Sequence, residues 1–188
     1  MNKNPNQIKD VRPIRSLELI NDLKYSLKRH CQERDYIMFL IGINTGLRVS
    51  DLLKLKLKDV RGKKKVTIQE GKTKKSRVIV FNNSIYEEVQ AYIKTVDSEW
   101  LFPSRKGDKP ISSVQAYRQL NKASDMVDIT EGIGTHTMRK TFGYWYYKQS
   151  KDVARLQRIL NHTHPKVTLD YIGITDEEIE DSLDNFSL

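Results

Sequence analysis

Between Lys65 and Phe81 the hydrophobic period of this chain switches from that of helices to that of strands, then switches back. Val66 and Ile68 alternate with polar residues, Gly71 marks a turn, and Val78-Ile79-Val80-Phe81 forms a second apolar run. Alternation places successive side chains on opposite faces of a strand, and a glycine between two such runs closes a hairpin. On either side of this stretch apolar residues recur every three or four positions, as in helices with one buried stripe. The pattern predicts a mainly α fold with a small antiparallel β-sheet (α+β). The sheet is a hairpin or three strands with a basic turn.

The helices are read from their stripes and caps. Leu17, Ile20, Leu23 and Leu27 mark one from Ser16 to about Gln32. Tyr36 to Asn44 is apolar nearly throughout and reads as a buried helix, broken by Thr45-Gly46. A short helix starts near Val49 and carries Asp51, Leu52 and Leu55. Ser84-x-x-Glu87 and Ser112-x-x-Gln115 are capping boxes, opening helices to about Thr95 and Met126. His136 to about Gln149 reads as a buried helix whose aromatics (Phe142, Tyr144, Trp145, Tyr146, Tyr147) serve packing rather than base stacking. Val153–Leu160 and Lys166–Ile172 are further helices, and Thr175-x-x-Glu178 caps a last short one. Residues 1–15, polar with Pro5 and Pro13, read as a flexible lead-in. Residues 16–175 read as one domain and 176–188 as an acidic C-terminal helix or tail.

Composition narrows the class. A chain of 188 residues with 38% apolar and 30% charged residues can bury one substantial core. No apolar run approaches the roughly 20 residues that span a bilayer, and Met1-Asn2-Lys3-Asn4-Pro5 lacks a signal peptide's apolar stretch. The single cysteine, Cys31, permits no internal disulfide, fits a reducing cytoplasm and reads as a small core residue. The net charge of +9 favours polyanions, nucleic acid first. Eight of the basic residues crowd between Arg61 and Arg77, with Glu70 the one acid among them.

Three polar segments carry the candidate chemistry. Arg48 follows the turn in Thr45-Gly46-Leu47-Arg48-Val49-Ser50-Asp51-Leu52, and Asp51 is spaced to orient Arg48 or a histidine. His136 and Arg139 lie three apart, on one face of a helix, where both can reach one phosphate. Tyr171 follows His162 by nine residues, across a polar turn. Taken singly, each has a bland reading: a surface ion pair, a packing histidine, a core tyrosine. Taken in order, in a basic chain, they supply two arginines, two histidines and a phenol, a kit for attacking a phosphodiester without a metal. His162 and His164 lack the cysteine or carboxylate companions of a metal centre. No Gly-rich phosphate loop is present, so neither metal nor cofactor is expected.

Read together, these segments resemble the catalytic domain of the tyrosine recombinases, the phage integrase and Xer-type family. Thr45 to Leu52 is similar to the family's first arginine motif, and Gly71-Lys72-Thr73-Lys74-Lys75 to the hairpin bearing its lysine. His136-Thr137-Met138-Arg139 is similar to its H-x-x-R motif. Leu160-Asn161-His162 is similar to its Leu-Gly-His motif, with Asn161 in place of the usual glycine. Tyr171 falls at the nucleophile position. The resemblance spans residues 16–180 and resembles minimal, catalytic-domain-only members of invertase size.

What the resemblance implies is a site-specific DNA recombinase acting through a 3′-phosphotyrosyl intermediate. Tyr171 is then the nucleophile. Arg48, Arg139 and His162 hold the phosphate oxygens, Lys72 (with Lys74 and Lys75 as rivals) protonates the leaving 5′-oxygen, and His136 assists proton transfer. Asp51 stands behind them as an orienting residue. Lys63, Lys64, Lys65, Lys74, Lys75 and Arg77 contact the DNA backbone. The partners implied are double-stranded DNA with specific recombination sites, further copies of the chain in a tetramer, and an accessory DNA-bending protein. The tail from Asp176 is exchanged between protomers, or folds back as an intramolecular lid. A type IB topoisomerase-like relaxing enzyme and a catalytically silent DNA-binding regulator are the alternatives.

Overall fold

The computed structural model describes residues 11–127, 129, 133–174 and 187. Helices α1 (Leu17–His30), α2 (Glu33–Thr45), α3 (Val49–Leu52) and α4 (Leu57–Val60) precede strands β1 (Lys65–Gln69) and β2 (Ser76–Val80). Helices α5 (Asn83–Ile93), α6 (Ser113–Asp125), α7 (Thr135–Ser150), α8 (Val153–Leu160) and α9 (Pro165–Ile172) follow. The mainly helical class with one small antiparallel sheet is as the periodicity predicts. Among the described residues no helix is long and apolar enough to cross a membrane.

Helix α2 is the axis of the molecule. It reads as apolar throughout because α1, α5, α6 and α7 all pack on it, burying Tyr36 through Gly42. Gly46 ends it in the left-handed region (φ +60°). A Cβ there would lie 2.3 Å from the Phe142 ring of α7, so glycine alone satisfies both the turn and the packing. The stripe of α1 buries Ile20, Leu23 and Leu27, whereas Leu17, its first member, is 60% exposed beyond the core edge.

Strands β1 and β2 pair antiparallel, Lys65 opposite Val80 and Gln69 opposite Ser76. Among the described residues the sheet has these two strands. Val66 and Ile79 face the core. Two local readings give way to tertiary structure: the short helix from Val49 ends at Leu52, so Leu55 lies beyond it, and the cap of α5 shifts. Helix α4 forms where Leu57 N–H donates to Glu99 O at 2.9 Å and Leu101 N–H to Leu55 O at 2.9 Å, distant pairings that no local pattern signals. Helix α5 is capped by Asn82, whose side chain accepts from Ile85 N–H at 3.0 Å, rather than by Ser84. The Ser112 and Gln115 box forms reciprocally, as its spacing predicts.

The end of the lead-in is pinned rather than loose. Ile14, 2% exposed, donates its N–H to Thr141 Oγ1 (2.9 Å) and accepts from Trp145 Nε1 (2.9 Å). Arg15 donates to the Gly173 carbonyl. A second apolar cluster, of Tyr144, Leu156, Leu160, Ile172 and Ile174, joins α7, α8 and α9. Gly143 permits it: a Cβ there would stand 2.6 Å from Ile172 Cγ2. That close approach seats α9, and with it Tyr171, against α7. Residues 1–10, and the last helix expected from Thr175, lie outside the described residues.

Candidate active site

Arg139 is the buried hinge of the site. It is 2% exposed. Nη1 donates to the Gly46 carbonyl at 2.6 Å and Nη2 to the Leu160 carbonyl. One guanidinium thus ties the Gly46 turn, α7 and the end of α8 together, three segments far apart in sequence. Burial brings its pKa down to about 10, with Arg48 and Arg77 adding to the fall against the opposing pull of Tyr171.

Arg48 leaves the turn as the residue before α3 and meets Glu70, Nη1 to Oε2 at 2.7 Å. Glu70 is fully buried. Its Oε2 also accepts from Thr73 Oγ1 (2.8 Å) and Asn161 Nδ2 (3.1 Å), and its Oε1 lies 3.6 Å from Arg77 Nη1. Burial alone would push the Glu70 carboxyl up. Hydrogen bonds from Thr73, Asn161 and Arg48, with the Arg48 charge, outweigh it and bring the pKa down to about 2. The sequence reading gave Glu70 no role, although it stood out as the lone acid in the basic stretch.

Tyr171 sits in cis among its own chain's arginines. Its Oη is buried and lacks a hydrogen bond of normal geometry, although the Arg139 guanidinium stands near enough to donate to it weakly, and both Arg139 and Arg48 act on it by charge. Burial pushes the phenol up and those two charges pull it back. Its ring meets His162 edge to face, centroids 5.0 Å apart at 75°, and Lys140 Nζ lies 5.3 Å from its centroid. His162 Nδ1 is 3.1 Å from Thr168 Oγ1. Burial first, then Arg139 and Arg48, lowers His162 to about 4. His136 opens to the surface, but partial desolvation, then Arg139, Lys140, Arg48 and Lys72, lowers its pKa as well. Both rings are therefore neutral at pH 7.

Lys72 is exposed at the hairpin turn, near enough to His136 to depress it. Asp51 does not reach Arg48 or a histidine. Its Oδ1 accepts from Gly71 N–H at 2.9 Å, so it fixes the backbone next to Lys72 instead. Lys63, Lys64, Lys65, Lys74 and Lys75 are exposed, and Lys75 Nζ reaches Asn161 Oδ1 at 3.2 Å. Arg77 departs from this set. It turns inward, donating to the Thr45 and Gly46 carbonyls, and braces the arginine turn from below. Among the described residues no group of three or more His, Cys, Asp or Glu side chains could hold a metal ion.

The depressed His162 makes a pH prediction. Its folded pKa lies below the ordinary 6.5, so the unfolded chain binds the extra proton. Its contribution to stability is full above pH 6.5 and lost as pH falls toward 4. Discounted for its partial exposure, it amounts to about 1 kcal/mol. Thermal melts of the protein and of His162→Gln should differ less at pH 4.5 than at pH 7. A constant difference would contradict the half-buried neutral ring.

The sequence model of the phage integrase family matches residues 16–178. The chain is 48% identical over 169 residues to the Bacillus subtilis (strain 168) protein described as probable integrase/recombinase YoeC, covering 89% of this chain and 92% of that protein. It spans about half the length of further curated relatives it matches, which are tyrosine recombinases. In fold it is similar to XerA recombinase, with a TM-score of 0.77 at 18% identity over 98% of this chain and 68% of that one. It is similar also to XerH site-specific recombinase, solved on its palindromic difH substrate in a post-cleavage complex. There the TM-score is 0.74 at 19% identity, over 93% of this chain and 53% of that one. The chain thus belongs to the phage integrase family, the tyrosine recombinases.

Proposed function

We propose that this protein is a site-specific DNA recombinase that cuts and rejoins strands with Tyr171 as its nucleophile. The observation that carries the reading is the Tyr171 hydroxyl, buried beside Arg139, Arg48 and His162 with no hydrogen bond of normal geometry to satisfy it. A phosphate entering there meets two guanidiniums whose backbone and carboxylate anchors hold them in place before the reaction.

Tyr171 Oη attacks the scissile phosphorus and its proton passes to neutral His136. The P–O5′ bond breaks and Lys72 protonates the departing oxygen. Arg48, Arg139 and His162 hold the non-bridging oxygens while charge builds. The bond energy is kept in the phosphotyrosyl link, and a 5′-hydroxyl from a partner duplex reverses the step. The exposed lysines of the hairpin and its flank contact phosphates, which makes affinity fall with salt but reads no sequence. Exchange between two duplexes calls for four copies on DNA, with an accessory bending protein where the sites lie apart.

The test is a nicked suicide substrate cut from DNA flanking the gene. Trapping covalently bound protein on a denaturing gel supports the reading. Equal trapping on unrelated DNA would instead favour a relaxing enzyme of the topoisomerase kind. No trapping, with salt-sensitive binding intact, would favour a silent regulator.

A further inference from the structure

The turn that carries Lys72 is fastened to the turn that carries His162, and Asn161 is the fastener. Asn161 ends α8 in the left-handed region (φ 57°), a conformation that costs any residue but glycine. Its side chain is fully used. Nδ2 donates to Glu70 Oε2 (3.1 Å) and to Thr73 Oγ1 (3.2 Å), and Oδ1 accepts from Lys75 Nζ (3.2 Å). All three partners belong to the hairpin, some ninety positions earlier in the chain. Glu70 in turn holds Arg48, while Asp51 holds Gly71 N–H. The residue pinned on both sides by these bonds is Lys72.

We infer that Asn161 and Glu70 are positioning residues that dock the Lys72 hairpin against the α8–α9 turn before DNA arrives. The lysine that donates to the 5′-oxygen is then aligned with the His162 and Tyr171 side of the site from the start. Neither residue touches the reacting atoms. Asn161 acts through Lys72, and Glu70 acts through Lys72 and also through Arg48. The inference rests on the recombinase reading for its catalytic part, whereas the docking itself is a property of the free protein.

Two measurements separate these parts. In DNA-free protein, Asn161→Gly relieves the left-handed conformation and removes the side chain, so folding is retained. Losing these hydrogen bonds is expected to speed amide exchange at Gly71 and Lys74 about tenfold, with α7 unchanged. Unchanged exchange at those two amides overturns the docking. The second measurement is single-turnover cleavage at the scissile phosphate mapped with the unaltered protein, using normal DNA and DNA with a 5′-bridging phosphorothiolate. There the P–S bond breaks and a thiolate leaves without needing a proton.

Asn161→Gly is expected to slow cleavage of normal DNA about tenfold and to leave the sulfur substrate unaffected. General acid–base contributions are on the order of 10²-fold or more, so Lys72→Ala should show the same pattern more strongly, and the double variant should be no slower than Lys72→Ala. Equal slowing on both substrates would mean that Asn161 acts through His162 or Tyr171, and would overturn the positioning of the acid. Absence of any covalent product from the unaltered protein on either DNA would overturn the recombinase reading, with the exchange result still deciding the docking.

Discussion

Tyr171→Phe is expected to abolish covalent capture of nicked DNA while making the protein slightly more stable. The two effects share one cause. The Tyr171 hydroxyl is buried with no hydrogen bond of normal geometry and only weak donation from Arg139, and a buried polar group left unsatisfied costs about 1–3 kcal/mol. Phenylalanine keeps the ring, and so the edge-to-face contact with His162 at 5.0 Å, but removes the poorly satisfied oxygen. A gain of about 1 kcal/mol would raise the melting temperature by roughly 2–4 °C in a domain of this size. The loss of activity should exceed about 10³-fold, since removing a nucleophile leaves binding and electrostatics to act alone. DNA affinity and its salt slope should stay the same, because the phosphate-facing cations are untouched. Melting curves and the trapping gel, run on one preparation, check both halves. A variant that melts lower would mean that the hydroxyl has a partner in solution. A variant that still traps DNA would remove Tyr171 from the chemistry.

On the recombinase reading, the arginines of the site are held in place before DNA binds. Arginine guanidiniums facing a phosphate need anchors that do not themselves compete for it. Arg139 uses carbonyls, at Gly46 and Leu160, and Arg77 supports the same turn from the Thr45 and Gly46 carbonyls. Arg48 uses a carboxylate. The free protein thereby holds these cations in a low-dielectric setting, where on that reading their charge would act strongly on an incoming phosphate.

The parts of this arrangement that the sequence foretold are those with local signals. A stripe at three- and four-residue spacing marked α1 and alternation marked the hairpin, because side-chain direction follows directly from backbone period, and a capping box marked α6. The ordered motifs marked Arg48, His136, Arg139, His162 and Tyr171, and the fold brings Arg48, Arg139, His162 and Tyr171 within electrostatic or ring contact. What stayed hidden was partner choice. Asp51 lay three residues from Arg48 and looked like its orienter, yet its hydrogen bond goes to Gly71. Arg77 sat among exposed lysines, but its strand register aims it at the Thr45-Gly46 turn. Glu70 is joined to Asn161 across ninety-one positions, a pairing that exists only once the hairpin meets the end of α8. Periodicity says which face is buried, and it carries nothing about which buried charge finds which partner.

Glu70→Gln tests that hidden pairing at the level of the whole fold. Glu70 is fully buried between Arg48 and Arg77. Its neutral isostere keeps the volume and can accept from Thr73 or Asn161, but it leaves two guanidiniums facing each other without a counter-charge. Removing one partner of a buried ion pair costs about 3–5 kcal/mol. The pKa leads to a similar figure. A carboxyl held near 2 in the fold, against 4.5 ordinarily, contributes roughly 3 kcal/mol at neutral pH. Because the folded pKa is the lower one, that contribution is complete above pH 4.5 and drains away as pH falls toward 2. The stability gap between the protein and Glu70→Gln, read from urea unfolding, should therefore be about 3 kcal/mol at pH 7 and less than half of that at pH 3. Other carboxylates titrate in the same range, but they titrate in both proteins and cancel in the difference. A gap that is small at pH 7 would mean that solvent, not Glu70, neutralises Arg48. A gap that does not shrink in acid would mean that the loss is one of shape, and that the charge at Glu70 does not hold the arginine turn.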